Sequence, residues 1–169
     1  MMDPNAFRLI SYGMYVVSSF REGKLNGQIA NTVFQVTAEP PLMAVSLNCQ
    51  NLTNEFIKSS KKFSIAVLSQ ETPLTTIGTF GFKCGRQVDK FSGVKYQVCS
   101  SGNPKILDHS LAHFDLEVVQ SVELGSHTLF IGKVVESEVL AEGLPMTYDY
   151  YHRIKGGKTQ KNAPSYIAK

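Results

Sequence analysis

Seven hydrogen-bonding side chains crowd two short stretches of the chain: Gln28, Asn31 and Thr32 in the first, Asn48, Gln50, Asn51 and Thr53 in the second. Amides and hydroxyls of this kind grip the polar edge of a ligand. Any one of them alone is an ordinary turn residue. Seven together are a dense supply of such groups around two strand ends. Asn51-Leu-Thr53 also reads as a helix start with Thr53 as N-cap. The unpaired N–H groups of a first turn, and the helix dipole, favour an anion there. Lys83 and Arg86 sit in a glycine-containing loop, where they either reach such an anion or are simply solvated. His127, just past Gly125-Ser126, is the remaining candidate; a lone histidine beside a turn faces solvent by default.

The elements that must position these groups are mostly strands. Residues 13–20 and 42–48 are rich in β-branched and apolar residues, and in 62–68 Phe63, Ile65 and Val67 alternate with smaller ones. In 114–122, Phe114, Leu116 and Val118 alternate with Asp115, Glu117 and Val119, a half-buried pattern. Gly125-Ser126 joins that strand to 127–140 as a hairpin. Glu22-Gly23 turns the first strand into 25–37, which reads as one strand with a tight turn at Asn26-Gly27. Two short helices interrupt, Asn54–Ser60 with Phe56, Ile57 and Ser60 inward, and one opened by Thr72-Pro73 with proline at N1 and Leu74, Ile77 and Phe80 inward. The pattern predicts a closed antiparallel barrel with capping helices. Alone, these features define a barrel with a polar rim.

The chain of 169 residues fits one domain, 1–169, and buries a core without staples. Hydrophobic content of 43% and charged content of 18% are ordinary for a soluble globule. No apolar run approaches a membrane span and the N-terminus lacks signal-peptide features, so a cytoplasmic protein is expected. Cys49, Cys84 and Cys99 form no C-x-x-C, so no zinc or rubredoxin-type iron site is encoded. Net charge is +3, with Arg153, Lys155, Lys158, Lys161 and Lys169 unopposed by any acid from residue 150 onward. Such an end is a solvated tail, a phosphate clamp or a docking surface for an acidic partner. The body lacks a basic stripe interleaved with aromatics, which argues against nucleic acid.

Four runs carry a resemblance. They are Asn26-Gly-Gln-Ile-Ala-Asn-Thr-Val-Phe-Gln-Val-Thr37 continuing through Glu39-Pro-Pro to Asn48; Phe80-Gly-Phe-Lys-Cys-Gly-Arg86 with Val88-Asp-Lys-Phe91; Gly125-Ser-His-Thr-Leu-Phe-Ile-Gly-Lys-Val134; and Leu144 to Tyr166. Together they resemble the flavin reductase-like family, the FMN-binding split barrels. The last run is similar to the subgroup of rubredoxin-linked flavin reductases, flavoredoxin-type carriers and archaeal ferric reductases. The resemblance implies an antiparallel six-stranded Greek-key split barrel with short capping helices and a bound FMN. It implies that Gln28, Ala30, Asn31 and Thr32 meet the flavin ring. Asn48, Gln50, Asn51 and Thr53 would then meet the ribityl chain and phosphate, with Phe82 and Arg86 in the run that closes over the cofactor.

By the same resemblance His127 faces the flavin and positions the nicotinamide of NADH or NADPH, Gly132 permits a close approach, and Tyr151 or Tyr148 stacks on a ring. Hydride transfer to flavin N5 needs no protein acid or base, so His127 is expected to act by positioning. A ferric reductase relative suggests an iron contact by the histidine and a cysteine of the preceding strand; Ser46 stands there in this chain, so no metal is expected. A small barrel fills its own interior. The flavin therefore lies outside and needs a second wall, which predicts a two-fold homodimer with FMN near the interface. A separate rubredoxin-like partner is the implied acceptor, alongside free flavin or ferric iron. The other reading is an FMN electron carrier without its own hydride step.

Overall fold

The computed structural model describes residues 1–167; Lys169, counted above with the basic tail, lies outside them. After an exposed 3-10 helix, Pro4–Leu9, the chain forms β1 (Tyr15–Arg21), β2 (Lys24–Ala30), β3 (Val33–Thr37) and β4 (Leu42–Asn48). Then follow α1 (Leu52–Ser60), β5 (Lys62–Leu68) and α2 (Leu74–Phe82). The remainder is a small hairpin, β6 (Tyr96–Val98) and β7 (Pro104–Ile106), the long pair β8 (Ser110–Leu124) and β9 (His127–Val139), and α3 (Tyr148–Arg153). Among the described residues no helix is long and apolar enough to cross a membrane.

One antiparallel seven-stranded sheet runs β2-β1-β5-β8-β9-β4-β3. Six strands were expected, and the difference has one cause. The stretch 25–37 is not a single strand; it breaks at Asn31–Thr32 into β2 and β3, which become the two edges of the curled sheet. The barrel is split along this seam. Asn26-Gly27 is not a turn either: it lies inside β2, paired with Ser19 and Ser18, and the turn is Glu22-Gly23. Both of those residues have positive φ (50° and 76°), the conformation a tight hairpin demands.

Val17, Val45, Leu47, Phe63, Ile65, Leu116 and Phe130 fill the barrel interior. Gly132 belongs to this interior. A Cβ there would stand 2.7 Å from the Phe63 ring, so the close approach it permits is Phe63's and not a ligand's. On the outside of β1 and β5, Met14, Val16, Ala66 and Leu68 form a second cluster with Ile77 and Phe80 of α2 and Tyr151 of α3. Leu74, expected inward, is about half exposed, because α2 begins one residue later than predicted with Pro73 as N-cap. In β8 the residues opposite the barrel face are buried too: His113 and Asp115 are 0% and 1% exposed. The β6–β7 hairpin packs over that side, which local alternation could not show.

Candidate functional site

The candidate site is the seam where β2 and β3 part. Where the chain leaves β2, Asn31 is buried and Thr32 donates to its Oδ1 at 3.2 Å, while the Thr32 carbonyl accepts from the Ser46 amide of β4. At the end of β4 the Asn48 side chain accepts from the Gln50 amide at 2.9 Å, a side-chain turn that swings the chain into α1. A cleft forms between these strand ends. Gln28, Ala30 and Asn31, then Ser46, Asn48 and Asn51, make one wall; Phe82 from the end of α2, with Tyr148 and Tyr151 of α3, makes the other. Lys158 to Pro164 cross its mouth. The carboxamide oxygen of Gln28 is buried there without a hydrogen-bond partner.

Seven of the expected residues thus line one cleft: Gln28, Ala30, Asn31, Asn48, Asn51, Phe82 and Tyr151. Thr32, Gln50, Thr53, Arg86 and His127 are not among its lining residues. Thr53 is not the helix cap. Asn51 is, without a side-chain cap bond, and Thr53 lies buried in the first turn, where its hydroxyl accepts from the Asn26 side chain at 2.8 Å. Asn51 and Thr53 both suit a helix start by type; the Asn48 turn decides between them. Arg86 is not free either. Its guanidinium is paired with Glu55 of α1, which also pairs with Arg21 at 3.6 Å. Two guanidiniums on one carboxylate leave the first turns of α1 with a net positive surplus. Gly85, between Cys84 and Arg86, packs directly on Asn26 and Leu52, where a Cβ has no room. Beside it the Cys84 thiol is held below its ordinary value, first by the Arg86 backbone N–H.

His127 opens β9 in register with Asn48. Strand alternation turns Thr128 and Phe130 inward and His127 outward, toward the cleft mouth. Its Nδ1 meets Ser126 Oγ at 2.8 Å and its Nε2 meets the Asn162 carbonyl at 3.2 Å. A carbonyl only accepts, so Nε2 carries the hydrogen and, in the neutral ring, Nδ1 accepts from Ser126. Tyr151 is 3% exposed, with its hydroxyl tied to the backbone of Lys158; it is a fixed part of the wall. Among the described residues no group of three or more His, Cys, Asp and Glu side chains is arranged to hold a metal ion.

Two features escaped the sequence reading. Lys90 is buried and donates from Nζ to the carbonyls of Gly27 (2.9 Å) and Phe80 (3.2 Å), tying β2 to the end of α2; burial pushes its pKa down to about 8. The Asp-Lys-Phe triplet was the available signal. The other is that Lys158–Ser165, inside the C-terminal run that carried the resemblance, crosses the cleft; its polar, aperiodic composition gave no element to read.

These features define a split antiparallel barrel with a filled interior and a polar cleft along its seam. A family model described as "Flavin reductase like domain" matches residues 7–156, and the chain belongs to that family. It is 48% identical over 165 residues to "High molecular weight rubredoxin" of Moorella thermoacetica, covering 98% of this chain and 72% of that protein. It is 44% identical over 166 residues to "Ferric-chelate reductase (NAD(P)H)" of Archaeoglobus fulgidus, covering 98% of both. Among solved structures, the flavin reductase PheA2 superposes with a TM-score of 0.72 at 31% identity, over 86% of this chain and 93% of that one.

Proposed function

We propose that the protein is an FMN-dependent NAD(P)H oxidoreductase. It takes reducing equivalents from a nicotinamide and passes them to free flavin, ferric iron or a separate redox protein. The observation that carries this reading is the unpartnered Gln28 oxygen, buried in a cleft where Asn31, Asn48 and Asn51 converge. A buried acceptor without a donor costs about 1–3 kcal/mol, so it wants a ligand N–H. The residues fit a flavin on other counts. Phe82, Ile29 and Ala30 offer apolar surface to a flat ring, and the start of α1 with the Arg21–Glu55–Arg86 cluster offers a seat for a terminal phosphate. When bound, FMN supplies the site that accepts hydride and releases electrons singly or in pairs.

The chain's own part is to bind, orient and shield. Gln28, Ala30 and Asn31 would hold the polar edge of the ring. Asn48 would hold the ribityl chain, and Asn51 with the backbone N–H of Thr53 would hold the phosphate at the start of α1. His127, held in its Nε2–H form, would orient the nicotinamide at the ring face. The exposed edge strand β3 carries Phe34 and Val36, 50% and 43% exposed, next to the seam. These support a two-fold homodimer that supplies the second wall; sedimentation as a monomer with tightly held FMN would contradict it. The ferric-chelate reductase and high molecular weight rubredoxin relatives support iron or a rubredoxin-like protein as acceptor.

The test is direct. Purified protein should show a near-stoichiometric flavin absorbance or quench added FMN. Anaerobic NADH or NADPH should bleach that band. If only dithionite bleaches it, the protein is an electron carrier without a hydride step. Protein that neither carries nor binds flavin sinks the proposal.

A further inference from the structure

The segment Lys158–Ser165 makes two unlike sets of contacts. Its first residues are clamped to α3. The Tyr151 hydroxyl donates to the Lys158 carbonyl (3.0 Å), the Tyr148 hydroxyl donates to Thr159 Oγ1 (2.6 Å), and Thr159 Oγ1 also meets His152 Nε2 (3.2 Å). The later residues reach across the cleft through Asn162 and Ser165, with one long bond from Ser165 Oγ back to the Tyr148 hydroxyl of α3 (3.5 Å). The Asn162 side chain donates to Asn51 Oδ1 (3.1 Å), the Asn162 carbonyl accepts from His127 Nε2 (3.2 Å), and Asn31 donates to Ser165 Oγ (2.7 Å). Each of these far contacts falls on a residue assigned above to the ligand.

An imidazole has two nitrogens, and both of His127's are engaged, one by Ser126 and one by Asn162. No hydrogen-bonding atom of the ring is left for a nicotinamide. The group that holds Nε2 is an amide carbonyl, and the same residue carries a primary carboxamide turned to Asn51. A nicotinamide presents the same chemistry, a carboxamide on a flat ring.

Resting on the proposed NAD(P)H reading, we propose that Lys158–Ser165 is a strap that occupies the nicotinamide's place beside His127. Asn162 stands in for the carboxamide, and the strap lifts from the cleft for NAD(P)H to dock. The part beyond Thr159 moves, and the clamp on α3 is the pivot. A closed form that excludes the ligand lowers its apparent affinity by the fraction of molecules that are open. An open population of about one in ten therefore costs about tenfold.

A chain ended after Lys161 keeps the clamp and loses Asn162 and Ser165. Its KM for NAD(P)H should fall by about tenfold with kcat little changed, and FMN binding should hold or tighten, because the cut releases Asn31 and Asn51. An unchanged or raised KM overturns the strap. In the full FMN-loaded protein, trypsin should cut after Lys161 several-fold faster when oxidised NAD or NADP is present, because the strap is then displaced. Equal or slower cutting overturns it, including where the shortened chain fails to fold. Full-length protein that binds no flavin overturns this proposal and the function together. Retained FMN and retained reduction by NAD(P)H, with no gain on shortening, overturn the strap alone.

Discussion

Two polar clusters lie on this sheet, and they differ in how they are covered. One is the seam cleft with Gln28, Asn31, Asn48, Asn51 and His127. The other lies under the β6–β7 hairpin, where Asn103 donates to Asp115 at 2.6 Å, Cys99 meets His113 at 3.5 Å and Ser64 donates to the Pro104 carbonyl at 2.7 Å. Both contain buried atoms without partners, Gln28 Oε1 in the first, Asn103 Oδ1 and His113 Nδ1 in the second. The second cluster is sealed, with Asn103 and His113 0% exposed, and its orphan atoms suit an enclosed water. The first is crossed by a strap that Asn162 and Ser165 hold with a few hydrogen bonds. Polar density and unpaired atoms are thus common to both clusters; what sets the seam apart is that its unpartnered acceptor opens on a cleft.

The comparison breaks most readily at His127. Replacement by Ala should slow reduction of the flavin by NAD(P)H on the order of a hundredfold, the cost of misplacing a docked ring by about 1 Å. FMN content and dithionite reduction should hold. Equal loss with both reductants would show a damaged flavin site. In the sealed cluster the opposite is expected. Asp115→Ala strands the Asn103 amide and should lower unfolding free energy by about 2 kcal/mol in denaturant titrations, with the NAD(P)H rate intact. A lost rate with unchanged stability would make that cluster functional.

Smaller effects follow from one buried titratable group in each region. Burial lowers the His113 pKa below 6.5. As pH falls through that value the unfolded chain takes a proton that the folded protein resists, so stability drops on acidification, and His113→Gln should flatten the drop. Lys90, beside the seam, releases its proton at about 8 when folded and at 10.5 when unfolded. Stability contributed by this group therefore rises between those two values, and the Tm of the wild type should gain a few degrees there relative to Lys90→Met. A Tm difference independent of pH would put the Lys90 charge elsewhere.

Much of the frame was legible. Residues 42–48 and 62–68 coincide with β4 and β5, because Pro40-Pro41 and the Phe63/Ile65 alternation bound and phase them. The Gly125-Ser126 hairpin was likewise plain. The break at Asn31–Thr32 was not, since Val33, Phe34 and Val36 continue a strand-like run; the curl of the sheet ends the pairing there. The burial of His113 and Asp115 depends on a hairpin of two three-residue strands, too short to leave a pattern. Of the candidate site, the amides at the two strand ends stood out by type and density, and the family resemblance supplied their proposed role. The engagement of Arg86 by Glu55, 31 residues away, and of His127 by Asn162, 35 residues away, arises only in the folded chain.

The central claim is that the seam holds the flavin by its phosphate end at α1 and its ring edge at β2. The most direct measurement is titration of apo-protein with FMN, followed by flavin fluorescence, for the wild type and for Asn51→Ala. Loss of a hydrogen bond at a charged group weakens binding by about 1.5–3 kcal/mol, so the variant's Kd should rise tenfold or more while its unfolding midpoint barely moves. An unchanged Kd in a folded Asn51→Ala protein would place the flavin elsewhere and contradict the assignment of the cleft.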